Sequence, residues 1–182
     1  NGRRTGLGTH GLADVLSRLN LAYDNENAIE ITSNIYRTLK ESSYGESVAL
    51  SKERGSFPVF DANKEIDHPY LSTLPEDILR SMESHGRRNI SILTNAPTGS
   101  VSILSQTSSG LEPVFRNSYV RRRKIGDDSK EKVDFVDDLG DKWHEFEVFH
   151  HNAQEWRLLN PGKELPSFFT ESDQIDWTQR VE

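Results

Sequence analysis

Five consecutive residues, Thr98-Gly99-Ser100-Val101-Ser102, combine what an anion needs from a polypeptide: backbone amides open to close approach and hydroxyls to share the charge. They follow Ala96-Pro97, and the proline holds Ala96 extended, so a helix begins only at or after Thr98. The first N–H groups of a helix have no partner inside it, and the helix dipole adds roughly half a positive charge there. A phosphate at such a start is stabilised without a lysine. Gly99 lets a ligand reach the backbone, Thr98, Ser100 and Ser102 bring hydroxyls, and Ala96 and Pro97 fix the turn. The same residues also describe an ordinary helix start with Thr98 or Ser100 as N-cap. On these residues alone the cap is the simpler reading.

Other candidate chemistry is thinner. Gly6, Gly8 and Gly11 match G-x-G-x-x-G, with Asp24 and Glu26 downstream. A dinucleotide fingerprint needs a hydrophobic strand before it, and the residues up to Thr5 are polar or basic. Leu12, Val15, Leu16 and Leu19 have helical spacing instead, so the glycines are read as permitting close packing where that helix meets a neighbour. His10, alone among glycines, is read as structural. His150-His151 with Asp134 or Glu147 suggests a metal, yet adjacent histidines on a strand point in opposite directions and a third ligand is missing. A surface tail and no metal site are expected. Arg121-Arg122-Arg123-Lys124 reads as a solvated strand or loop edge.

The formal net charge of the 182 residues is −7, which argues against a general nucleic-acid binder, since such proteins need positive surface to displace counterions. With 34% hydrophobic residues, the chain can form one domain with a sizeable core, or part of one. No apolar run approaches the ~20 residues that cross a bilayer, and no apolar leader stands at the amino end, so a soluble, cytoplasmic protein without membrane contact is expected. Zero cysteines exclude a disulfide scaffold, a cysteine zinc site and a thiol nucleophile within this sequence. The first residue is Asn1, and the last nine read as an opening helix, with Asp176 as cap and Trp177 and Val181 four apart on one face. An excised segment is expected.

Several elements must position the turn. Ile90, Ile92 and Leu93 give the short apolar run of an interior parallel strand leading to Pro97. A long helix is predicted from about Asn25 to near Ser51, with Ile31, Ile35 and Leu39 four apart and Gly55 ending it. Phe57-Pro58-Val59-Phe60 is an apolar loop expected to pack over the site-bearing strand, Asp61 to Thr73 is turn-rich, and a shorter helix at Pro75–Met82 stops at Gly86. After the turn, a helix from Ser100 to about Gln106 precedes the hydroxyl-rich loop Thr107-Ser108-Ser109-Gly110, expected to fold back beside the anion site. Tyr119, Val120 and the basic run lead to a hairpin in which Val133 and Phe135 alternate with charged residues. Trp143, Phe146 and Val148 return around Asp137 to Asp141. Asn152–Leu159 is a short amphipathic helix, and Phe168-Phe169 a second apolar anchor. An α/β arrangement with the hairpin as an appendage suits these lengths.

Three stretches, Arg3 to Asp14, Asn89 to Leu104 and Thr107 to Phe115, resemble the carboxy-terminal half of the catalytic chain of ribonucleotide reductases. The likeness spans Asn1 to about Tyr119, and the hairpin with Asp173 to Glu182 more loosely resembles the adenosylcobalamin-dependent (class II) branch. It implies an α/β fold that is part of a ten-stranded α/β barrel, the second of two half-barrels. Residues 1–182 would be a segment of that barrel domain: 1–119 the half-barrel core, 120–150 the hairpin appendage, and 151–182 a helical and loop segment leading back. The implied activity is reduction of ribonucleoside diphosphates to 2′-deoxyribonucleotides for DNA synthesis. The loop matching Pro97 to Val101 binds the substrate diphosphate in that family, so Thr98, Gly99, Ser100 and Val101 would be phosphate-binding, with Ala96, Pro97 and Ser102 in support.

The family abstracts the ribose 3′ hydrogen with a cysteine thiyl radical, helped by an asparagine and a glutamate, and draws electrons from two further cysteines. None of these cysteines is present, so no catalytic residue is expected in this chain and it should be inert alone. Adenosylcobalamin is the cofactor implied for the complete enzyme, although oxygen-dependent reductases share the phosphate turn and only the hairpin tilts the choice. The implied partners are a ribonucleoside diphosphate, deoxynucleotide and ATP effectors bound elsewhere, a thioredoxin-like reductant and a second copy in a homodimer. A stand-alone phosphate-binding or regulatory module is the alternative. Half a barrel exposes a sheet edge, so in isolation the segment should aggregate or stay loose.

Overall fold

A computed structural model describes residues 2–126, 130–176 and 178. In chain order the elements are α1 (Leu12–Arg18), α2 (Glu26–Arg54), α3 (Ala62–Ile66), α4 (Glu76–His85), α5 (Gly99–Ser105), β1 (Ser118–Lys124), β2 (Phe135–Val136), β3 (Lys142–Phe149) and α6 (His151–Leu159), followed by a 3-10 turn at Ser172–Gln174. They fall into two units, Asn1–Thr9 with Glu26–Pro97 and His10–Asn25 with Thr98–Glu182. Among the described residues no helix is long and apolar enough to cross a membrane.

In the first unit, the four-residue apolar spacing of α2 becomes one packed face. Ile31, Ile35 and Leu39 are half-buried, and Tyr44 and Val48 are buried. Gly55 ends the helix in the left-handed region (φ +77°), its N–H donating to the Ser51 carbonyl at 2.8 Å. Gly86 stops α4 at φ 70° and ψ −169°, a backbone conformation open to glycine, with its N–H on the Met82 carbonyl at 2.7 Å. Tyr44, Val48, Leu71, Leu74, Met82 and Ile92 form the core between these helices. Within the turn-rich stretch, the Asp61 carboxylate accepts from Asn63 N–H at 3.2 Å and caps the five-residue α3.

The strand expected at Ile90–Leu93 is an extended segment paired on one side, not a member of a regular sheet. It runs parallel to residues 2–8. Ile90 N–H donates to Gly2 O (3.0 Å), Thr5 N–H to Ser91 O (2.9 Å), Leu7 N–H to Ile92 O (2.8 Å) and Thr94 N–H to Leu7 O (2.9 Å). The parallel sense holds, but Leu7–Leu93 is only an isolated bridge. The described residues contain one three-stranded antiparallel sheet and two isolated parallel bridges, so the α/β character is present without a closed ten-stranded barrel. A Cβ on Gly8 would collide with the Thr94 carbonyl oxygen, and one on Gly6 would press on the Thr94 methyl. These two glycines of the G-x-G-x-x-G spacing thus serve close packing, against the extended segment at Thr94 and ahead of α1, not where that helix meets a neighbour.

Arg87, 5% exposed, fixes how the chain reaches that segment. It forms an ion pair with Glu65 at 2.5 Å and donates to the carbonyls of Asn89 (2.6 Å) and Ile90 (2.8 Å). Its guanidinium lies over the rings of Tyr44 and Phe57. Phe57 is fully buried and Phe60 packs on the core that contains Ile92 of the extended segment, whereas Val59 in the same loop is 75% exposed.

The second unit holds the sheet, in the order β1-β3-β2. β2 and β3 form the expected hairpin, its turn held by Asp137, whose carboxylate accepts from the N–H groups of Leu139 (3.0 Å) and Asp141 (2.9 Å). The basic run is itself a strand. β1 pairs with β3 from Ser118 opposite Phe149 to Lys124 opposite Trp143, and Arg121 to Lys124 are exposed, as a solvated edge requires. Arg122 pairs with Glu145 across the strands at 2.7 Å. α6 begins one residue earlier than expected, and the second apolar anchor is the edge-on contact of Trp156 with Phe169. Trp177 and Val181 lie outside the described residues; the Asp176 carboxylate accepts from Thr178 N–H at 2.9 Å.

Candidate functional site

Thr98 is the N-cap residue of α5 and adopts the left-handed conformation (φ 52°, ψ 29°), an outlier for a β-branched residue. Its hydroxyl does not cap the helix. The Thr98 Oγ1 instead accepts from Gly110 N–H at 2.8 Å, while the Thr98 carbonyl accepts from Ser102 N–H at 2.8 Å. The simple N-cap reading therefore fails at Thr98, because its side chain is used elsewhere. Among the described residues, none accepts a hydrogen bond from the N–H groups of Gly99, Ser100 or Val101. Gly99 faces open space, where an added Cβ would meet nothing within 4 Å.

Ala96, Pro97, Gly99, Ser100 and Val101 are exposed, and Ser102 is buried. Ser102 is the inner support of the turn: its hydroxyl donates to the Gly99 carbonyl (3.0 Å) and lies 3.0 Å from the Ser109 hydroxyl. Ala96 and Pro97 close the first unit and Thr98 opens the long segment of the second.

The loop Thr107–Gly110 folds back against the turn, as its hydroxyl-rich composition suggested. Thr107 N–H donates to Ser102 O at 3.0 Å, and Gly110 reaches Thr98. Behind the loop stands Asp14, 7% exposed. Its carboxylate accepts from Ser108 N–H at 2.6 Å and from His150 Nε2 at 2.7 Å. Burial pushes the Asp14 carboxyl up, but the hydrogen bonds from His150 and Ser108 and the charge of His150 outweigh it, and the net shift is downward. His150 is thus no surface tail: its side chain is 16% exposed and bonded across 136 positions of sequence. His10 plays the structural part expected of it, its Nδ1 lying 3.1 Å from the Thr107 hydroxyl.

Among the described residues, Ser108, His150 and Asp14 are not arranged as a nucleophile with its base. Ser108 N–H and His150 Nε2 both bond the Asp14 carboxylate, and His150 does not reach the Ser108 hydroxyl, so no Ser-His-Asp relay forms among these residues. Among the described residues no group of three or more His, Cys, Asp or Glu could hold a metal ion. What remains is three N–H donors without an acceptor among the described residues at the start of α5, beside an exposed serine hydroxyl, a set that suits an oxyanion of phosphate type. The pairing of Asp14 with His150 escaped the sequence reading, which placed His150 in a surface tail. The available signal was a carboxylate flanked by Leu12, Ala13, Val15 and Leu16, since an acid on an apolar helix face needs a partner.

Among known proteins, residues 1–181 match the family described as ribonucleotide reductase, barrel domain. A vitamin B12-dependent ribonucleoside-diphosphate reductase of Mycobacterium tuberculosis is 32% identical over 119 residues, covering 65% of this chain and 15% of that protein. A vitamin B12-dependent ribonucleoside-diphosphate reductase of Thermoplasma acidophilum is 34% identical over 119 residues, covering 65% and 14%. The ribonucleoside-diphosphate reductase subunit alpha of Treponema pallidum is 24% identical over 128 residues, covering 67% and 15%. The chain spans about 15% of the length of these relatives.

Proposed function

Because the chain belongs to the ribonucleotide reductase barrel-domain family, we propose that it is part of a ribonucleoside-diphosphate reductase and supplies the turn that binds the substrate's phosphates. The observation that carries this reading is the set of N–H groups at Gly99, Ser100 and Val101, which have no acceptor among the described residues and surround an open glycine. Ser100 adds an exposed hydroxyl and Thr98 keeps its O–H as a donor while its Oγ1 accepts from Gly110 N–H, and Ala96, Pro97 and Ser102 hold the turn. The role is positioning: the turn neutralises and orients the diphosphate, and binding energy gained there is spent on placing the ribose for reaction.

Radical abstraction and reduction fall to cysteines outside this sequence, which has none. The vitamin B12 dependence of the Mycobacterium tuberculosis and Thermoplasma acidophilum relatives supports adenosylcobalamin as cofactor of the complete enzyme, where it would supply the initiating radical. Nothing in the role of the turn depends on it. Nucleotide effectors, a dithiol protein reductant and a homodimeric state belong to the same reading of the complete enzyme.

The test is turnover by the complete chain carrying this segment, given a ribonucleoside diphosphate, adenosylcobalamin and a dithiol reductant, with no second metal subunit. Deoxynucleoside diphosphate should accumulate. Phosphate binding without any deoxynucleotide, under these conditions or with a radical-generating subunit added, would contradict the reductase assignment.

A further inference from the structure

We propose that Asp14 and His150 are positioning residues for the turn at Thr98–Val101, acting through the loop Ser108–Gly110. The proposal rests on the reading of that turn as the phosphate site. Thr98 is held in a backbone conformation that a β-branched residue does not adopt unaided, and its side chain is tethered there by Gly110 N–H on Oγ1 at 2.8 Å. The geometry of the turn therefore depends on where Gly110 sits.

The start of α1 sets that position. Gly11 N–H donates to Ser108 O at 3.0 Å, Leu12 N–H reaches Gly110 O at 3.5 Å, and Ser108 N–H donates to the Asp14 carboxylate at 2.6 Å. The last is the shortest of the three and the only one to an ionised acceptor, which makes it the strongest. Asp14 is oriented in turn by His150 Nε2 at 2.7 Å, and Asn152 Nδ2 donates to the Asp14 carbonyl at 3.2 Å. His150 and Asn152 sit at the start of α6, so the pair ties α1, α6 and the loop together.

Packing gives no reason for a charge at this place. Leu12, Ala13 and Leu16, its neighbours on α1, are each 7% exposed or less, and an apolar side chain would fill such a site without the desolvation penalty of a carboxylate. What an apolar residue could not do is accept from Ser108 and His150 at once. A second tie, between the hydroxyls of Ser102 and Ser109 at 3.0 Å, links the same loop to the first turn of α5. Loss of Asp14 frees the loop on the α1 side, and Thr98 loses the fixed donor that keeps it left-handed.

The experiment uses the complete chain carrying this segment and compares Asp14→Ala, Asp14→Asn and His150→Ala with the wild type. Two quantities are read: the affinity for a ribonucleoside diphosphate, and the amide NMR signals of Gly99, Ser100 and Val101 without ligand. Asp14→Ala should weaken the diphosphate by about tenfold and displace the three amide signals. Asp14→Asn keeps an acceptor of the same shape for Ser108 N–H and should recover most of both. If Asp14→Ala does not fold, His150→Ala, at a less buried position, is expected to move both quantities in the same direction. Folded variants with unmoved amide signals and unchanged affinity would overturn the proposal. Amide signals that move in the variants while the wild type itself binds no diphosphate would overturn the phosphate reading alone, leaving Asp14 and His150 as positioning residues of the turn.

Discussion

Replacing Gly99 by valine separates a binding role from a structural one. An added Cβ at this position meets nothing within 4 Å, and Gly99 lies outside the left-handed region, so the folded chain accommodates the side chain without strain. Valine is also a slightly better helix former than glycine, and the expected change in stability stays within about 0.5 kcal/mol. For a bound phosphate the isopropyl group occupies the space that the anion needs beside the Gly99, Ser100 and Val101 amides. Losing one charge-assisted hydrogen bond costs about 1.5–3 kcal/mol. At 1.4 kcal/mol per factor of ten, this is a loss of roughly 10- to 150-fold in affinity for a ribonucleoside diphosphate. Calorimetric titration of the complete chain with the diphosphate and with the corresponding nucleoside, alongside thermal melting, reads all three quantities. The nucleoside, which has no phosphate, should bind as before. Unchanged diphosphate affinity in a folded Gly99→Val protein, or equal losses for diphosphate and nucleoside, would refute the reasoning.

Arg87→Ala removes one half of a pair whose side chains are 6% and 19% exposed, leaving Glu65 uncompensated, and should destabilise the fold by about 3–5 kcal/mol in urea titration. A cost below about 1 kcal/mol would show that Arg87 does not organise the segment at Asn89–Ile90. Gly8→Ala drives a methyl into the Thr94 carbonyl oxygen and should cost about 1–3 kcal/mol; a neutral effect would contradict the close pairing of residues 2–8 with 90–94. Asp14 titrates below its ordinary value of 3.8 because the hydrogen bonds from His150 and Ser108 outweigh its burial. Its contribution to stability is therefore complete above that ordinary value and is lost as pH falls through the lower folded value. Acid titration of stability should show this decline beginning near pH 4, and Asp14→Asn should flatten it; identical acid profiles would contradict the pairing.

The features legible in the sequence were those that short-range physics determines. Four-residue spacing along α2, the stops at Gly55 and Gly86 and the hairpin turn at Asp137–Asp141 each depend on a handful of adjacent residues. So does the start of α5 directly after Pro97, and the return of Thr107–Gly110 to Thr98 needed only a short loop. Pairings set by long-range backbone geometry left little trace. Residues 2–8 carry mostly small, polar or basic side chains and still pair with 90–94, because main-chain hydrogen bonds and the absence of a Cβ at Gly8 hold them there. The basic run was legible as a solvated strand or loop edge, but nothing local showed that β3 would lie beside it. Asp14 and His150, 136 positions apart, meet only in the folded chain. At Thr98 the residue type was informative, but its use was not: a hydroxyl suited to capping a helix is taken by Gly110, which leaves the helix start bare.

The most direct measurement is a crystal structure of the complete chain with a ribonucleoside diphosphate bound. Phosphate oxygens within about 2.7–3.2 Å of the Gly99, Ser100 and Val101 nitrogens are the predicted result. A diphosphate seated elsewhere, with those nitrogens donating to protein oxygens, would contradict the account.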